Sequence, residues 1–466
     1  MFKKGTVSYF SRISMFLLFC AALIVGCSDD ITPEPEQQPV QELVASTCGC
    51  TYTVPVNSSY VAVDGKALKL KPGNVVCLQG GKTYGTVVLR NFVGSASNPI
   101  VVKNCGGVVN IYTTGGSGLD VQNSSYVRIT GGTGSTRDIR VNGGQISVAI
   151  GAKSTDIEMD HVEVFNSRYA GVMAKTDPSC TNNADRAHFV MKNVWLHDNY
   201  VHDTRSEGFY IGHSYWVSGV TLDCGVKMPH EMEGVKVYNN IIKNSGAESI
   251  QIGSAPKGAE VYGNRIENYG TYNENGQNNG IQFGQGANGT CYGNFIKGGK
   301  GMGIILIANN SNVIHDNVLV NTGNDGIFID DRMAGPGFKI LNNTIIRPGG
   351  NGITLYSDEV TMNTVINNII VSPGSYSKMS YPRTTADAYI YKMFKAVKLT
   401  ASNNYTTQDI NSLRFSNASA DDYSLTKSST SVINKGAVLT GLVIPFDFLL
   451  KPRVIGLVDI GAYEYQ

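Results

Sequence analysis

The sequence predicts an all-β protein built as a parallel β-helix, and three observations support this prediction. Short runs with apolar residues at alternate positions recur through the middle of the chain, and this period of two is typical of β-strands. The runs return at steps of 23 to 30 residues, which is the spacing of a solenoid with stacked units. The same region lacks the apolar spacing and capping residues of helices.

Residues 1–27 are predicted to be an export signal. Basic residues near the start precede an apolar run from Met15 that is too short for a stable membrane-spanning helix. The Gly-Cys end at Cys27 resembles a bacterial lipoprotein signal, which implies cleavage before Cys27 and lipidation of its thiol. Ser28-Asp29-Asp30 resembles the acidic tract that directs Bacteroidetes lipoproteins to the cell surface. We therefore expect a protein held at the outer membrane by an N-terminal lipid.

The rest of the chain divides into a tether, a solenoid and a closing segment. Residues 28–46 are acidic and Pro-rich, as in a flexible tether. Residues 47–374 are assigned to the β-helix. The segment that begins at Leu68 is expected to cap the solenoid, because its first coil would otherwise expose an open strand edge. Residues 375–466 are assigned to a C-terminal cap, because the repeat stops after Ser372. A solenoid grows along one axis, so one long domain is expected in spite of the length.

Two phrases make up the repeat. The first begins with asparagine, as in Asn240-Ile241-Ile242, and the second has the form Gly-Ile-x-Ile. We expect the asparagines to stack at one turn of every coil and to hydrogen-bond from coil to coil, so their predicted role is structural. The asparagines are Asn240, Asn264, Asn294, Asn317, Asn343 and Asn368, with Asn199 as an earlier member.

These phrases resemble those of the right-handed parallel β-helix proteins of the pectin lyase-like superfamily, from about Leu68 to Ser372. The resemblance implies a single-stranded right-handed solenoid. The superfamily holds pectate lyases, polygalacturonases, epimerases, phage tailspikes and non-catalytic proteins. The resemblance therefore implies a fold and leaves the activity open.

Charge and cysteine content limit the possible partners. The chain has 38 Lys and Arg against 37 Asp and Glu, so it has no basic field for nucleic acid, and local groups must hold any acidic substrate. Disulfides are permitted in an exported chain. Cys180 and Cys224 are predicted to pair, because both follow the same strand on neighbouring coils, and Cys291 is predicted to be a buried thiol. Cys48-Gly-Cys50 lacks the second ligand pair of a zinc site, so pairing near the N-terminus stays open.

The Gly-Ile-x-Ile strands predict a functional face. Their middle residues should point outward in one column, and the residues before each glycine should form a second column. The longest insertions, residues 176–187, 214–231 and 269–278, border this face and would wall a groove suited to an extended polymer. The candidate substrate-binding residues are Tyr210, Gln251, Gln282, Asn279, Asp325, Asp330, Asp331 and Arg332.

Glu207 and Glu248 are the candidate catalytic residues, because they occupy the same position on consecutive coils. Ser206-Glu207-Gly208 resembles the Asn-Thr-Asp-Gly phrase of polygalacturonases, whose acids lie in the catalytic cleft, although this chain lacks their Gly-His-Gly and Arg-Ile-Lys motifs. Two carboxylates about 5 Å apart resist ionising together, so one pKa should rise, as suits a general acid beside a base or nucleophile.

Two other roles for this pair stay open. The carboxylates could share a Ca²⁺ ion while Lys175, Arg205 or His213 abstracts a proton next to a uronate carboxylate, in the manner of β-helix lyases. They could instead bind backbone amides of the turn, as acids before glycine often do. The predicted catalytic residues are Glu207, Glu248, Lys175 and His213.

The sequence thus predicts a lipid-anchored β-helix protein that degrades a polysaccharide, with a uronic-acid-containing polymer as the expected substrate. Hydrolysis and β-elimination both remain open. The alternative is a non-catalytic glycan-binding or adhesive surface protein, whose groove would present aromatic platforms. Tyr210 and Phe328 are the residues that favour this alternative.

Overall fold

The computed structural model describes residues 48–274, 276–439, 441–442, 444–453 and 457–466. The predicted export signal, the lipidation site at Cys27 and the tether of residues 28–46 lie outside these ranges. Within them, no helix has both the length and the apolar character needed to cross a membrane.

Three long parallel sheets form a right-handed parallel β-helix, which confirms the predicted fold class. The first sheet has 13 strands and the second and third have 12 each. Each coil contributes one strand to each sheet, because the short β-branched runs alternate with turns that Asn and Gly can make. Every inward-facing residue therefore stacks on its equivalent in the next coil.

The strands of the first sheet are Tyr52–Thr53, Val75–Gln79, Ile100–Cys105, Ser125–Thr130, Thr155–Asp160, Val194–His197, Lys236–Tyr238, Ala259–Tyr262, Gly289–Tyr292, Val313–His315, Lys339–Leu341, Asn363–Ile366 and Leu399–Ser402. The strands of the second sheet are Thr83–Tyr84, Val109–Thr113, Ile139–Gly143, Val162–Phe165, Tyr200–His202, Ile241–Lys243, Arg265–Glu267, Phe295–Lys297, Val318–Val320, Thr344–Ile346, Ile369–Val371 and Tyr405–Thr407.

The strands of the third sheet are Tyr60–Asp64, Thr86–Arg90, Ser117–Gln122, Ile146–Gly151, Val172–Ala174, Phe209–Ile211, Ile250–Ile252, Ile281–Phe283, Ile304–Ala308, Ile327–Asp331, Ile353–Tyr356 and Ile390–Lys392. Two small pairs lie in loops, Val190–Lys192 with Glu231–Glu233 and Val220–Leu222 with Gly225–Lys227. Short 3₁₀ helices span Tyr376–Lys378, Thr385–Ala388, Ile410–Leu413 and Ala418–Ala420.

The predicted asparagine ladder is present inside the coils. Asn294 donates from its main-chain N–H and its side-chain Nδ2 to Oδ1 of Asn317, at 3.1 and 2.9 Å. Its Nδ2 also donates to the carbonyl of Val261 at 2.9 Å, and its own Oδ1 accepts from Asn264. The same contacts run from Asn199 to Asn368, and the ladder continues one rung further to Asn404.

The solenoid extends beyond the predicted boundary at residue 374. The strands Ile390–Lys392, Leu399–Ser402 and Tyr405–Thr407 pair in parallel with the coil before them and complete one more turn. The step from Asn368 to Asn404 is 36 residues, because an insertion with two 3₁₀ helices separates the strands. Because this step is longer than the others, the repeat in the sequence did not predict the last coil.

The closing segment packs against the solenoid. In the described part of residues 410–466, Leu413, Tyr423 and Tyr463 join outward-facing apolar residues of the second sheet. Buried Arg453 fastens this segment by pairing with Glu464 at 2.9 Å and with Asp316 of the solenoid. The described part of this segment therefore covers an apolar flank of the solenoid.

The cysteines form three disulfides among the described residues. Cys180 pairs with Cys224 and thereby ties two of the loops that border the predicted groove. Cys48 pairs with Cys105 and Cys50 with Cys77, so the Cys-Gly-Cys motif fastens the start of the solenoid. Cys291 is a buried thiol.

Candidate active-site groove

The outward column of the third sheet forms the floor of the candidate groove. Tyr210, Gln251 and Gln282 are direct partners on successive strands, as the repeat predicts. They point away from the core, yet they are only 6%, 4% and 7% exposed. Tyr210 and Phe328, the residues that favour the glycan-binding alternative, are therefore covered and do not form open aromatic platforms.

Hydrogen bonds fix the side chains of the floor. The hydroxyl of Ser214, at the start of one insertion, lies 3.1 Å from the hydroxyl of Tyr210 and accepts from Nε2 of Gln251 at 3.0 Å. Gln282 donates from Nε2 to Oε1 of Gln251 at 3.2 Å. Oε1 of Gln282 is buried without a hydrogen-bond partner. The floor therefore keeps one acceptor free while its other groups are held in place.

The structure brings Glu207 and Glu248 together on adjacent coils. The main-chain N–H of Gly208 donates to the carbonyl of Glu248, which sets the two residues side by side in the second column. Their exposures are 4% and 0%. Oε1 of Glu248 accepts from Nδ2 of Asn279 at 3.1 Å, whereas Oε2 of each glutamate is buried without a hydrogen-bond partner.

Burial changes the protonation of this pair. It raises the pKa of Glu248 to about 8, and the nearby charge of Glu207 adds to the increase. Burial also raises the pKa of Glu207, although Lys175 opposes that shift. Glu248 is therefore the member of the pair that keeps a proton at neutral pH, and the charge of Glu207 beside it disfavours its ionisation.

Lys175 and His213 lie at one side of the acid pair and meet at Asp177. Nζ of Lys175 is 2.9 Å from Oδ1 of Asp177 and 4.9 Å from the centre of the Tyr210 ring. Nε2 of His213 lies 2.9 Å from the same oxygen, without the alignment of a hydrogen bond. Burial would raise the pKa of Asp177, but His213 and Lys175 outweigh it and hold that pKa well below its usual range.

A second histidine supports this corner. His230 is buried, its Nε2 accepts from the main-chain N–H of Thr176, and its Nδ1 faces the carbonyl of Glu231. Burial lowers its pKa to about 4, so the ring is neutral at pH 7 and donates through Nδ1. Sequence reasoning missed Asp177 and His230, because both come from irregular insertions that share no position with the repeat.

Exposed aromatic side chains surround the covered floor. Tyr169 meets Tyr210 edge to face at 6.2 Å between ring centres, and the charge of Glu207 contributes, after burial, to raising the pKa of Tyr169. Tyr215 and Tyr272 are exposed on the insertions, and the guanidinium of Arg205 lies 5.2 Å from the centre of the Tyr272 ring. The groove thus combines an acid pair with tyrosines that can stack on sugar rings.

The distal candidates are engaged within the protein. Oδ1 of Asp325 accepts from the main-chain N–H of Asn351 at 2.7 Å. Asp331 accepts from the main-chain N–H groups of residues 359 and 360, and Arg332 pairs with Asp330 at 2.7 Å. Burial raises the pKa of Asp330 to about 6. These contacts favour the structural role for this set.

The donors at the acid pair do not fit a calcium cage. Calcium takes about six to eight oxygen ligands. The unpartnered carboxylate oxygens here are the Oε2 atoms of Glu207 and Glu248, and the neighbouring Asn279 presents its amide nitrogen to Glu248. In the described ranges, a group of three possible ligands that converge lies elsewhere, at Glu158, Asp160 and His197, since the cysteines that also converge near the N-terminus are held in disulfides.

Comparison with known proteins places the chain among β-helices. The family described as "Right handed beta helix region" matches residues 224–407. No curated protein matches the sequence. The fold is similar to that of pectate lyase Pel9A, with 14% identity, 90% of this chain and 97% of that chain covered, and a TM-score of 0.43.

Two further solved structures are similar at the same level. An alginate lyase from Paenibacillus sp. str. FPU-7 shares 14% identity over 75% of this chain and 100% of its own, with a TM-score of 0.38. A GH136 lacto-N-biosidase from Eubacterium ramulus shares 13% identity over 76% of this chain and 68% of its own, with a TM-score of 0.41. These likenesses concern the fold alone.

Proposed function

We propose that this protein hydrolyses glycosidic bonds of a uronic-acid-containing polysaccharide, with Glu248 as general acid and Glu207 as its catalytic partner. One observation carries the proposal, namely the two unpartnered Oε2 atoms of buried glutamates on adjacent coils. A buried acid without a partner is costly, and such groups cluster at catalytic sites. The pKa of about 8 for Glu248 keeps its proton available at neutral pH.

The spacing of the pair favours a double-displacement reaction. The backbones of equivalent residues on adjacent coils are about 4.8 Å apart. Carboxyls that extend in parallel from such positions lie nearer to the roughly 5–5.5 Å of retaining glycosidases than to the roughly 6.5–9.5 Å of inverting ones. Glu248 gives its proton to the glycosidic oxygen while Glu207 attacks the anomeric carbon. Water then releases the sugar from Glu207 and returns the proton to Glu248. Because both acids are covered, the residues over them must move when the polymer binds.

The groups around the pair support a substrate with rings and carboxylates. Tyr169 and Tyr272 offer aromatic faces, and Lys175 and Arg205 supply positive charge to a protein whose net charge is only +1. A uronate carboxylate would be held by these local cations, since the bulk charge gives no attraction.

Glutamine variants test the proposal. Glu207→Gln and Glu248→Gln keep shape and hydrogen-bonding reach but remove the titrating group, so cleavage should fall at least about 10²-fold while folding is retained. The assay measures new reducing ends from a panel of acidic polysaccharides, and Asp325→Asn is the matched control in the same column. Full activity in both glutamine variants would place the chemistry elsewhere.

A second candidate reaction is β-elimination, which the position of Lys175 beside Tyr210 favours. Lys175 would then abstract the proton next to the uronate carboxylate. The product would carry an unsaturated uronate that absorbs ultraviolet light, and Lys175→Met would abolish it. Reducing ends without this absorbance favour hydrolysis. Tight polymer binding without either product would favour the glycan-binding alternative.

We also propose that the protein is exported and anchored in the outer membrane through lipidated Cys27. The charged start, the apolar run and the Gly-Cys end support this placement. A tether of residues 28–46 would hold the groove away from the lipid, within reach of an extracellular polymer.

A further inference from the structure

The outer face of the first sheet holds a small cleft that lies on a different face from the acid pair. Its volume is about 160 Å³, and it spans three successive coils. Arg128, Glu158 and Trp195 are register partners along its floor. Whole-ligand sites measure roughly 300–1,000 Å³, so this cleft can hold one ring of a longer chain.

Two aromatic residues, Tyr126 and Trp195, line the cleft. Both occupy surface positions at which a polar residue is the more common choice. Trp195 is 37% exposed, and its Nε1 donates to the carbonyl of Gly234 at 3.2 Å, which orients the ring. Tyr126 is held at a φ of 54°, in the left-handed region that bulky residues avoid. Its equivalents on the next two coils are Asp156 and Asn193, residue types that tolerate this conformation.

Asp156 and Asn193 therefore show which residue types suit the backbone conformation that Tyr126 adopts. The fold is satisfied by Asp or Asn at this point of the coil, so the tyrosine is not required by the backbone. Residues kept in unfavourable backbone conformations cluster at ligand sites. An aromatic ring on each side of a polar cleft is the arrangement that binds the apolar face of a sugar.

The charges of the cleft favour a neutral sugar. Arg128 is neutralised by Glu158 at 3.2 Å and Asp160 at 2.8 Å. Lys236, the next residue in the column after Trp195, pairs with Glu260 at 3.0 Å. Asp156 adds a further acid, and its Oδ1 accepts from Asn193 at 2.6 Å. A uronate carboxylate would meet net negative charge here, whereas hydroxyl groups would find acceptors.

We propose that the cleft lined by Tyr126 and Trp195 is a second carbohydrate-binding site, which takes one neutral sugar unit of a polysaccharide and holds the polymer outside the catalytic groove. That the ligand is a polysaccharide rests on the proposed function. The site itself stands on the cleft and its side chains, and it would act whether or not Glu207 and Glu248 cleave.

The test is retardation of the protein during native electrophoresis in gels that contain xylan, galactan or arabinan, with polygalacturonate as the acidic comparison. Wild type should be retarded by at least one neutral polymer. Trp195→Ala should weaken that binding about 2- to 10-fold, the effect of one lost aromatic contact. Tyr126→Asn should weaken it similarly while the melting temperature is kept or raised, because Asn tolerates the backbone conformation.

Two controls separate this site from the groove. Tyr112→Ala removes an exposed aromatic ring of the second sheet and should leave binding unchanged. Glu248→Gln should also keep full retardation, even where cleavage is lost. The proposal is overturned if wild type is retarded by no neutral polymer, if polygalacturonate alone depends on Trp195, or if both cleft variants bind as wild type does.

Discussion

Glu248 shows at the residue scale how folding sets the chemistry. Glu248 lies between Ala247 and Ser249, just before an ordinary strand sequence. None of its neighbours in the sequence indicates an unusual pKa. The coil geometry buries it beside Glu207 and raises its pKa to about 8. The sequence predicted this pair because one register position repeats. It did not predict Asp177 or Ser214, because the insertions that carry them follow no repeat.

The raised pKa of Glu248 predicts how stability depends on pH. Between its ordinary value of 4.5 and about 8, the folded protein keeps a proton that the unfolded chain has lost. Stability from this group is therefore complete below pH 4.5 and decreases as pH rises through about 8. Melting temperatures across this window should fall more steeply for wild type than for Glu248→Gln. Parallel curves would show that Glu248 titrates normally.

The same proton limits activity. If Glu248 is the general acid, kcat/KM should fall as pH rises above about 8, because this ratio reports ionisation of the free enzyme, while ionisation of Glu207 sets the acidic limit. The measurement is a pH profile of reducing-end formation on the best substrate of the panel. An activity that continues to rise well above pH 8 would contradict the assignment, since the carboxyl would then be ionised.

At the scale of the element, the positions of most coils could be predicted from the sequence. Every coil from Asn240 to Asn368 could be placed from two short phrases, because inward side chains and ladder asparagines have no freedom in position. The last coil was missed because an insertion lengthens its step to 36 residues. The packing of the closing segment against the second sheet could not be predicted, because no repeated position in the sequence marks where it lies.

Asn294→Leu tests the ladder. Leucine cannot donate to Asn317 or accept from Asn264, so buried amide groups on both sides lose partners and the free energy of unfolding should fall by about 1–3 kcal/mol. Chemical denaturation measures the loss. Asn110→Leu is the control, because Asn110 is an exposed strand residue. Equal stability of Asn294→Leu and wild type would exclude a role for the rung.

At the scale of the whole molecule, the proposed anchor at Cys27 would attach one folded body to the membrane. The solenoid buries its apolar residues in one continuous core, and the C-terminal segment covers a second apolar cluster on its flank. The Cys180–Cys224 disulfide joins insertions at the groove. This single body needs only one attachment point to present the groove to a polymer.

Cys27→Ala tests that attachment. Without its thiol the chain cannot take the lipid, so the protein should leave the membrane fraction or keep its export signal uncleaved. Fractionation and the mass of the N-terminal peptide measure both outcomes, and Cys291→Ala is the control because Cys291 is a buried thiol in the solenoid. Unchanged membrane association with a processed terminus would contradict the lipoprotein proposal.

The asparagine ladder also affects how a β-helix can gain coils during evolution. Each rung makes the same contacts with the rung before and the rung after, so a tandem duplication of one coil in the gene adds a rung whose partners already exist. The copied coil keeps its outward column on the same face. Such a duplication would extend the groove by about 4.8 Å and leave every older contact in place, and the new positions would then be free to acquire other side chains.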